Sequence, residues 1–301
     1  MNDSQCSIFR ELSQNIHFHV IVIVKGVLCT AGAVGISMQW NHFGVRFLVH
    51  EHTKILFRFF YALNIILSLI YGFFFLFEPF RCIGISIIHA AQHVLLVLSV
   101  ERLFSSIFPA YFEKHSSKPF AFILALITIF GSCTYSMFEL SDNFRLFFIE
   151  RKVAIFSRDV PENRAGLKSL LTNVTWSNVF SLILLCFDLY LNFVRNNGTN
   201  LSLAVSYQRS ENRRIVLTLL PIELTQMFFI LFTNISLIIF GKNGSNRTPI
   251  DEQLFIELVT PTPFAPLILT FVIKHSIEKY KNRKHTLQLE IDHFEELRKI
   301  W

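Results

Sequence analysis

The chain has 301 residues, of which 52% are hydrophobic and only 17% charged, with 34 phenylalanines, a net charge of +6 and a positive mean hydropathy. Soluble domains run nearer to about 25% charged, so an ordinary soluble protein is excluded, as are a disordered chain and, with five cysteines, a disulfide scaffold. The basic residues sit beside long apolar blocks, which assigns the positive charge to a membrane boundary and not to nucleic acid.

A bilayer core of about 30 Å asks for about 20 mostly apolar residues per helix, because backbone N–H and C=O groups find no water there. Seven stretches qualify: Phe18 to Ser37, Ile55 to Phe77, Cys82 to Ile107, Phe120 to Glu139, Val174 to Val194, Ile215 to Phe240 and Gln253 to Ile273. Barrel strands would be about ten residues long and alternating, and these blocks are twice that. The fold class expected is an all-α membrane protein, a bundle of seven transmembrane helices. Residues 1–17 form a tail before the bundle, residues 18–274 the bundle itself, and residues 275–301 a second tail. The first tail lacks the basic cluster and small-residue site of a cleaved signal, so the first block is expected to stay as a helix.

Orientation follows the lysines and arginines of the loops. With the N-terminus outside, the inner face carries about 17 basic residues and the outer face about ten. The N-terminus is therefore expected outside and the C-terminus inside. No internal repeat or matched pair of broken helices marks a duplicated transporter.

Ionisable residues inside the blocks cost at least about 2.5–3.5 kcal/mol each at the bilayer centre, so each needs a partner or a wet cavity. Lys25 in the first block and Glu257 in the last both fall near the outer ends, and the first and last helices of a closed bundle are neighbours. They either pair near the floor of an outward-facing pocket or snorkel separately. Arg58, Asp188 and Glu223 lie within about two turns of the expected inner surface, where snorkelling suffices. His89, Gln92 and His93 share one face of the third helix at i, i+3 and i+4. Two histidines four apart can ligate zinc, but no third ligand is evident, so interior hydrogen bonding, with a share in lining a ligand cavity, is the expectation. No metal or cofactor is implied.

Pro221 in the sixth block, and Pro261, Pro263 and Pro266 in the seventh, each remove a donor and are expected to kink or unwind their helices, as levers or as static packing. Cys29, Cys133 and Cys186 fall inside blocks as plain apolar residues. Cys6 and Cys82 both face outside and are a possible disulfide pair. Sequons occur on the outer face at Asn2, Asn173, Asn243 and Asn246, with Asn2 the best-placed glycosylation site.

The third block closes with Ser99-Val-Glu-Arg102, followed by Phe108-Pro-Ala-Tyr-Phe-Glu-Lys114. An acid–arginine pair there can exchange partners between an internal lock and an incoming protein. Before the sixth block stands Leu203-Ala-Val-Ser-Tyr-Gln-Arg-Ser-Glu-Asn212. These two segments resemble the nematode chemoreceptors of the Sra superfamily, whose Sra, Srab, Srb and Sre families carry Glu-Arg with a following Tyr-Glu at the inner end of helix three. They also carry Leu-Ser-x-Arg-Tyr-Gln-x-x-Glu-Asn before helix six. Glu101, Arg102, Tyr207, Gln208, Glu211 and Asn212 match. Phe112-Glu113 stands in place of Tyr-Glu, and Ala204 and Ser206 replace the motif's serine and arginine. The likeness runs from about Ile55 to His275, closest to the Sre or Srb branch.

The resemblance implies a G-protein-coupled chemosensory receptor in the plasma membrane of a sensory neuron, and not an enzyme. Its expected partners are a small external ligand, a heterotrimeric G protein and the bilayer. Rhodopsin-like markers are absent: the second block has Asn64 and Ser68 but no aspartate, and the sixth has Leu-Leu-Pro-Ile-Glu. The ligand-binding candidates are Lys25, His89, Gln92, His93 and Glu257. Glu101, Arg102, Tyr207, Gln208, Glu211 and Asn212 are the candidates for an inner-face switch. A multi-span transporter or ligand-gated channel of small solutes is the alternative. In the second tail, Tyr280, Leu287, Phe294 and Trp301 recur every seven residues, suiting an amphipathic helix on the inner leaflet or else an exposed tail.

Overall fold

The computed structural model describes residues 14–46, 51–73, 78–108, 118–139, 161–194, 203–242, 254–255, 258, 264–276 and 278. They form α1 (Ile16–Arg46), α2 (Glu51–Phe73), α3 (Glu78–Ile107), α4 (Lys118–Glu139), α5 (Pro161–Val194), α6 (Leu203–Lys242) and α7 (Phe264–Ser276), with no strand among the described residues. Local chemistry sets several helix starts. The side chain of Asn15 caps α1, accepting from the backbone N–H of His17 at 2.9 Å and of Phe18 at 3.4 Å. Pro79, Pro119 and Pro161 all fall in the first turn of their helices, where a missing N–H costs nothing.

Six of these helices are long and apolar enough to cross a bilayer, through Ile16–Trp40, His52–Gly72, Ile83–Ile107, Pro119–Glu139, Ser169–Val194 and Asn212–Ser236. Of the seventh block, the described helix α7 is apolar and rises about 20 Å, with further helical residues at 254, 255 and 258.

The burial pattern is that of a membrane bundle. Phe138 is 77% exposed, Trp176 68% and Phe130 67%, whereas Arg102 and Asp188 are 0% exposed, and His89 and Glu223 1%. In water the exposed aromatics would forfeit the hydrophobic term; in lipid they do not, and charges turned inward find protein partners that lipid cannot offer. Asp188 and Glu223 therefore correct the snorkelling expectation. Both carboxylates turn into the bundle, and Arg58 alone of the three stays exposed.

α3 is the central element. It packs against α2, α4, α5 and α6, and small residues (Gly84, Ser86, Ala90, Ala91, Ser99, Ser105) let its neighbours approach closely. The helices α1 and α2 pair along their lengths, as do α5 and α6. The apolar core runs through the bundle from Ile36 and Phe57 to Leu95, Leu98, Leu185, Leu219 and Ile273. α7 lies on α1, so the first and last helices are neighbours. A Cβ on Gly32 would stand 3.0 Å from Pro266, and one on Gly35 2.7 Å from Thr270, while the Gln39 amide donates to the Thr270 carbonyl at 2.6 Å. Only glycine permits that approach.

α6 is continuous through Pro221, with no unwound turn, and the Thr225 hydroxyl donates to the Pro221 carbonyl at 2.7 Å. Pro266 lies within α7. Pro261 and Pro263 lie outside the described residues.

Candidate functional site

Two polar networks cross the interior of the bundle, both anchored on α3. The first closes the Ile107 end. Arg102 grips the neighbouring Glu101 with two donors, Nε at 3.0 Å and a terminal nitrogen, and its other terminal nitrogen donates to Asn212 Oδ1 on α6 at 3.0 Å. The Thr53 hydroxyl of α2 donates to the Glu101 carboxylate at 3.2 and 3.3 Å. Ser105 donates to Asn212 Oδ1 at 3.1 Å, and the Asn212 amide donates to Ser106 Oγ at 3.2 Å. On α5, the Asn192 amide reaches Ser106 Oγ at 2.7 Å and Asp188 Oδ1 at 2.8 Å. Four helices thus meet around one guanidinium, and every member is buried.

An isolated charge in this setting would cost several kcal/mol, so the ion pair is tolerable only because its remaining hydrogen-bonding groups are engaged. Arg102 suits the position because a planar fork can hold a carboxylate with one edge and an amide with the other. One valence is spare: Asp188 Oδ2 has no hydrogen-bond partner among the described residues. The arginine therefore sits in a cage with two carboxylates, one fully engaged and one half engaged. Such a cage has two available pairings and is the chemical prerequisite of a switch.

The second network lies about three turns earlier on α3. His89 Nε2 lies 3.2 Å from Asn173 Oδ1 of α5, and its Nδ1 lies 2.9 Å from Ser136 Oγ of α4. His93 Nδ1 lies 2.9 Å from Ser132 Oγ, whose own proton goes to the Thr128 carbonyl at 2.7 Å. His93 Nε2 lies 3.2 Å from Ser177 Oγ. All these bonds are satisfied when His89 carries its proton on Nε2 and His93 on Nδ1. The two rings meet edge to face with centroids 4.3 Å apart, and Tyr135 covers His89 at 5.4 Å. Gln92 points the other way, donating to Gln226 on α6. The two histidines therefore tie α3 to α4 and α5, with their ring nitrogens facing protein groups.

The expected candidates divide accordingly. His89, Gln92 and His93 share the interior of α3, and Lys25 is buried on α1. Glu257 lies outside the described residues, so its pairing with Lys25 does too. Glu101, Arg102 and Asn212 come together as one assembly. Tyr207, Gln208 and Glu211 lie on α6, with side chains outside the described set. Asn2 and Cys6 lie outside it, and so does the side chain of Cys82; Cys29, Cys133 and Cys186 are free thiols. Asn173, read as an outer-face sequon, is corrected: it is within α5, and its Oδ1 faces His89 and Ser177.

Thr53, Ser106, Asp188 and Asn192 were not among the expected site residues. The i, i+4 spacing of Asp188 and Asn192, matching the face of α3 that carries Arg102, Ser105 and Ser106, is the signal that marks them. No protein-family model matches the chain, and no curated protein matches it.

Proposed function

We propose that the chain is a seven-helix chemosensory receptor, with its N-terminus outside and its C-terminus in the cytoplasm. In this reading a small external ligand binds among the outer halves of the helices, and the Arg102 end of the bundle signals to a heterotrimeric G protein. The segment Gln253–Ile273 supplies the seventh crossing, and the plasma membrane of a sensory neuron is the site of action. The observation that carries the reading is the buried assembly of Glu101, Arg102 and Asn212. Three residues singled out by the receptor-like motifs, 110 positions apart in the chain, occupy one charge cage where the second, third, fifth and sixth helices meet.

The energetics favour a signalling use. A ligand moves an equilibrium only by its differential affinity for two packings, so the device it acts on must be nearly balanced. An arginine with a second carboxylate within the same cage meets that condition, since leaving Glu101 for Asp188 exchanges one buried pairing for another. Opening of α6 away from α3 breaks the Arg102–Asn212 bond and bares the cytoplasmic end.

The test is expression in a reporter cell carrying promiscuous G proteins, with volatile and soluble compounds screened for a response. The expected result is a saturable response that Arg102→Ala abolishes at equal surface level. Solute flux through proteoliposomes holding the purified chain and no G protein overturns the receptor reading in favour of a transporter or channel. Tags on the two termini found in one compartment overturn the odd number of crossings.

A further inference from the structure

Ser99 of α3, Ser181 of α5 and Glu223 of α6 form one hydrogen-bonded chain inside the crossing segments, one turn along α3 from Arg102. Their exposures are 1%, 0% and 1%. The Ser99 hydroxyl lies 3.0 Å from the Leu95 carbonyl, one turn back, and 2.6 Å from the Ser181 hydroxyl. Ser181 in turn is hydrogen-bonded to the Glu223 carboxyl. Glu223 Oε1 has no partner, so this bond belongs to the other carboxyl oxygen.

These contacts make three hydrogen bonds, and the two hydroxyls supply one proton each. The Leu95 carbonyl can only accept, so the Ser99 proton goes there. The Ser181 proton then goes to Ser99 Oγ. The third bond is left with two oxygens and no hydroxyl proton, so the Glu223 carboxyl donates it. An ionised Glu223 would turn both hydroxyls about and forfeit the Leu95 bond. It would also bury a charged oxygen with no donor, which an interior avoids by neutralising the group. Among the described residues no free cation faces it. On α3 the nearest ionisable groups are Glu101 and Arg102, bound to each other, and His93, held by Ser132 and Ser177. On α5 the nearest is Asp188, two turns from Ser181 and bonded to Asn192. Arg214 of α6 is more than two turns from Glu223, and Lys274 and His275 of α7 are exposed.

We propose that Glu223 is a proton-binding site that locks α6 to α5 and α3, holding a proton in this packing and releasing it to water when α6 swings away. Ser181 and Ser99 keep their own protons and only turn. The lock itself is a property of the folded chain. Its release rests on the receptor reading: there the closed packing binds one proton more than the open one, so each unit rise in pH favours opening by up to about tenfold.

The experiment is infrared difference spectroscopy of the purified full chain in nanodiscs at about pH 6, where exposed carboxyls are ionised. It needs neither ligand nor G protein, so it succeeds or fails apart from the receptor reading. Glu223→Gln is expected to remove a carboxylic-acid carbonyl band. Ser181→Ala is expected to move that band to higher frequency by taking away the acceptor of its proton, and Asp188→Asn to leave it in place. A spectrum that Glu223→Gln leaves unchanged in this region overturns the proposal. Should Glu223→Gln fail to fold, Ser181→Ala and Ser99→Ala decide the matter, and an unshifted band in both rejects the site. Melting against pH gives a second reading. The folded chain holds a proton that the unfolded chain has lost, so from about pH 5 upward wild-type stability falls relative to Glu223→Gln. The fall reaches up to about tenfold in the folding equilibrium per pH unit and ends where the folded chain gives up its proton. A difference that is flat with pH overturns the lock. Where the band is present and the chain signals, basal signalling independent of pH overturns the release.

Discussion

Arg102 of α3 and Asn212 of α6 meet through a 3.0 Å bond from guanidinium to amide oxygen, and the same oxygen accepts from Ser105. Asn212 thus fastens α6 to the charge cage. Replacing it with leucine strands a donor on Arg102 and removes one bond each from Ser105 and Ser106, the latter still accepting from Asn192. A cost of about 1–3 kcal/mol is expected for Asn212→Leu, and about 3–5 kcal/mol for Arg102→Ala, which leaves Glu101 buried without its cation. Thermal unfolding in nanodiscs measures both. In a double-mutant cycle the two changes are expected to be strongly non-additive, because they remove members of one network; additive losses would show that the bond carries no coupling.

Asp188 behaves in the opposite sense. Its Oδ2 lacks a donor, while Oδ1 accepts from Asn192. A buried carboxylate with an idle oxygen destabilises the fold that contains it. Asp188→Asn keeps the shape, keeps an acceptor for Asn192 and removes the charge. The expected outcome is unchanged or higher Tm, by up to about 1 kcal/mol of stability, together with loss of ligand-driven signalling if Arg102 needs a second carboxylate. A fall in Tm comparable with that of Arg102→Ala would mean that Asp188 already serves as a counter-ion in this packing.

Much of the frame is legible in the sequence because a bilayer imposes a length. The blocks around Val24, Leu67, Leu95, Ile127, Leu185 and Phe229 each announce a crossing, and the i, i+3, i+4 placement of His89, Gln92 and His93 announces an interior face. The partners of those residues are not legible, for a physical reason. Serine, threonine and asparagine in a membrane helix can satisfy themselves on the carbonyl four residues back. Thr30, Ser37, Thr128, Thr175 and Thr233 do so, whereas Ser136 and Ser177 reach another helix. Nothing in the composition separates the two groups.

His89 and His93 make unequal demands on the fold. His89 is fully buried and joins α3 to both α4 and α5; His93 makes similar ties but is half-buried. Interhelical bonds in membrane proteins average about 0.6 kcal/mol and reach about 1.7 kcal/mol. His89→Ala, which also opens a cavity beneath Tyr135, is expected to cost about 2–3 kcal/mol, and His93→Ala about 1 kcal/mol. Unfolding midpoints check the order. If both variants melt like the wild type while the response to a ligand is lost, the histidines serve the ligand and not the helix packing.

The contact between α1 and α7 yields a test with its own control. A methyl group at Gly35 would meet Thr270 Cγ2 at 2.7 Å and Oγ1 at 2.9 Å, which are side-chain atoms. One at Gly32 would meet Pro266 Cβ at 3.0 Å but also the backbone nitrogen of Leu267 at 3.1 Å. Both Gly35→Ala and Gly32→Ala force α7 outward, at about 1–3 kcal/mol each. Thr270→Ala removes the atoms that oppose Gly35 and is expected to restore most of the loss from Gly35→Ala. It cannot relieve Gly32→Ala, because no side-chain truncation moves a backbone nitrogen. Melting of the three single and two double variants reads the pattern directly. Rescue of both glycine substitutions, or of neither, would show that α7 does not lie on this face of α1.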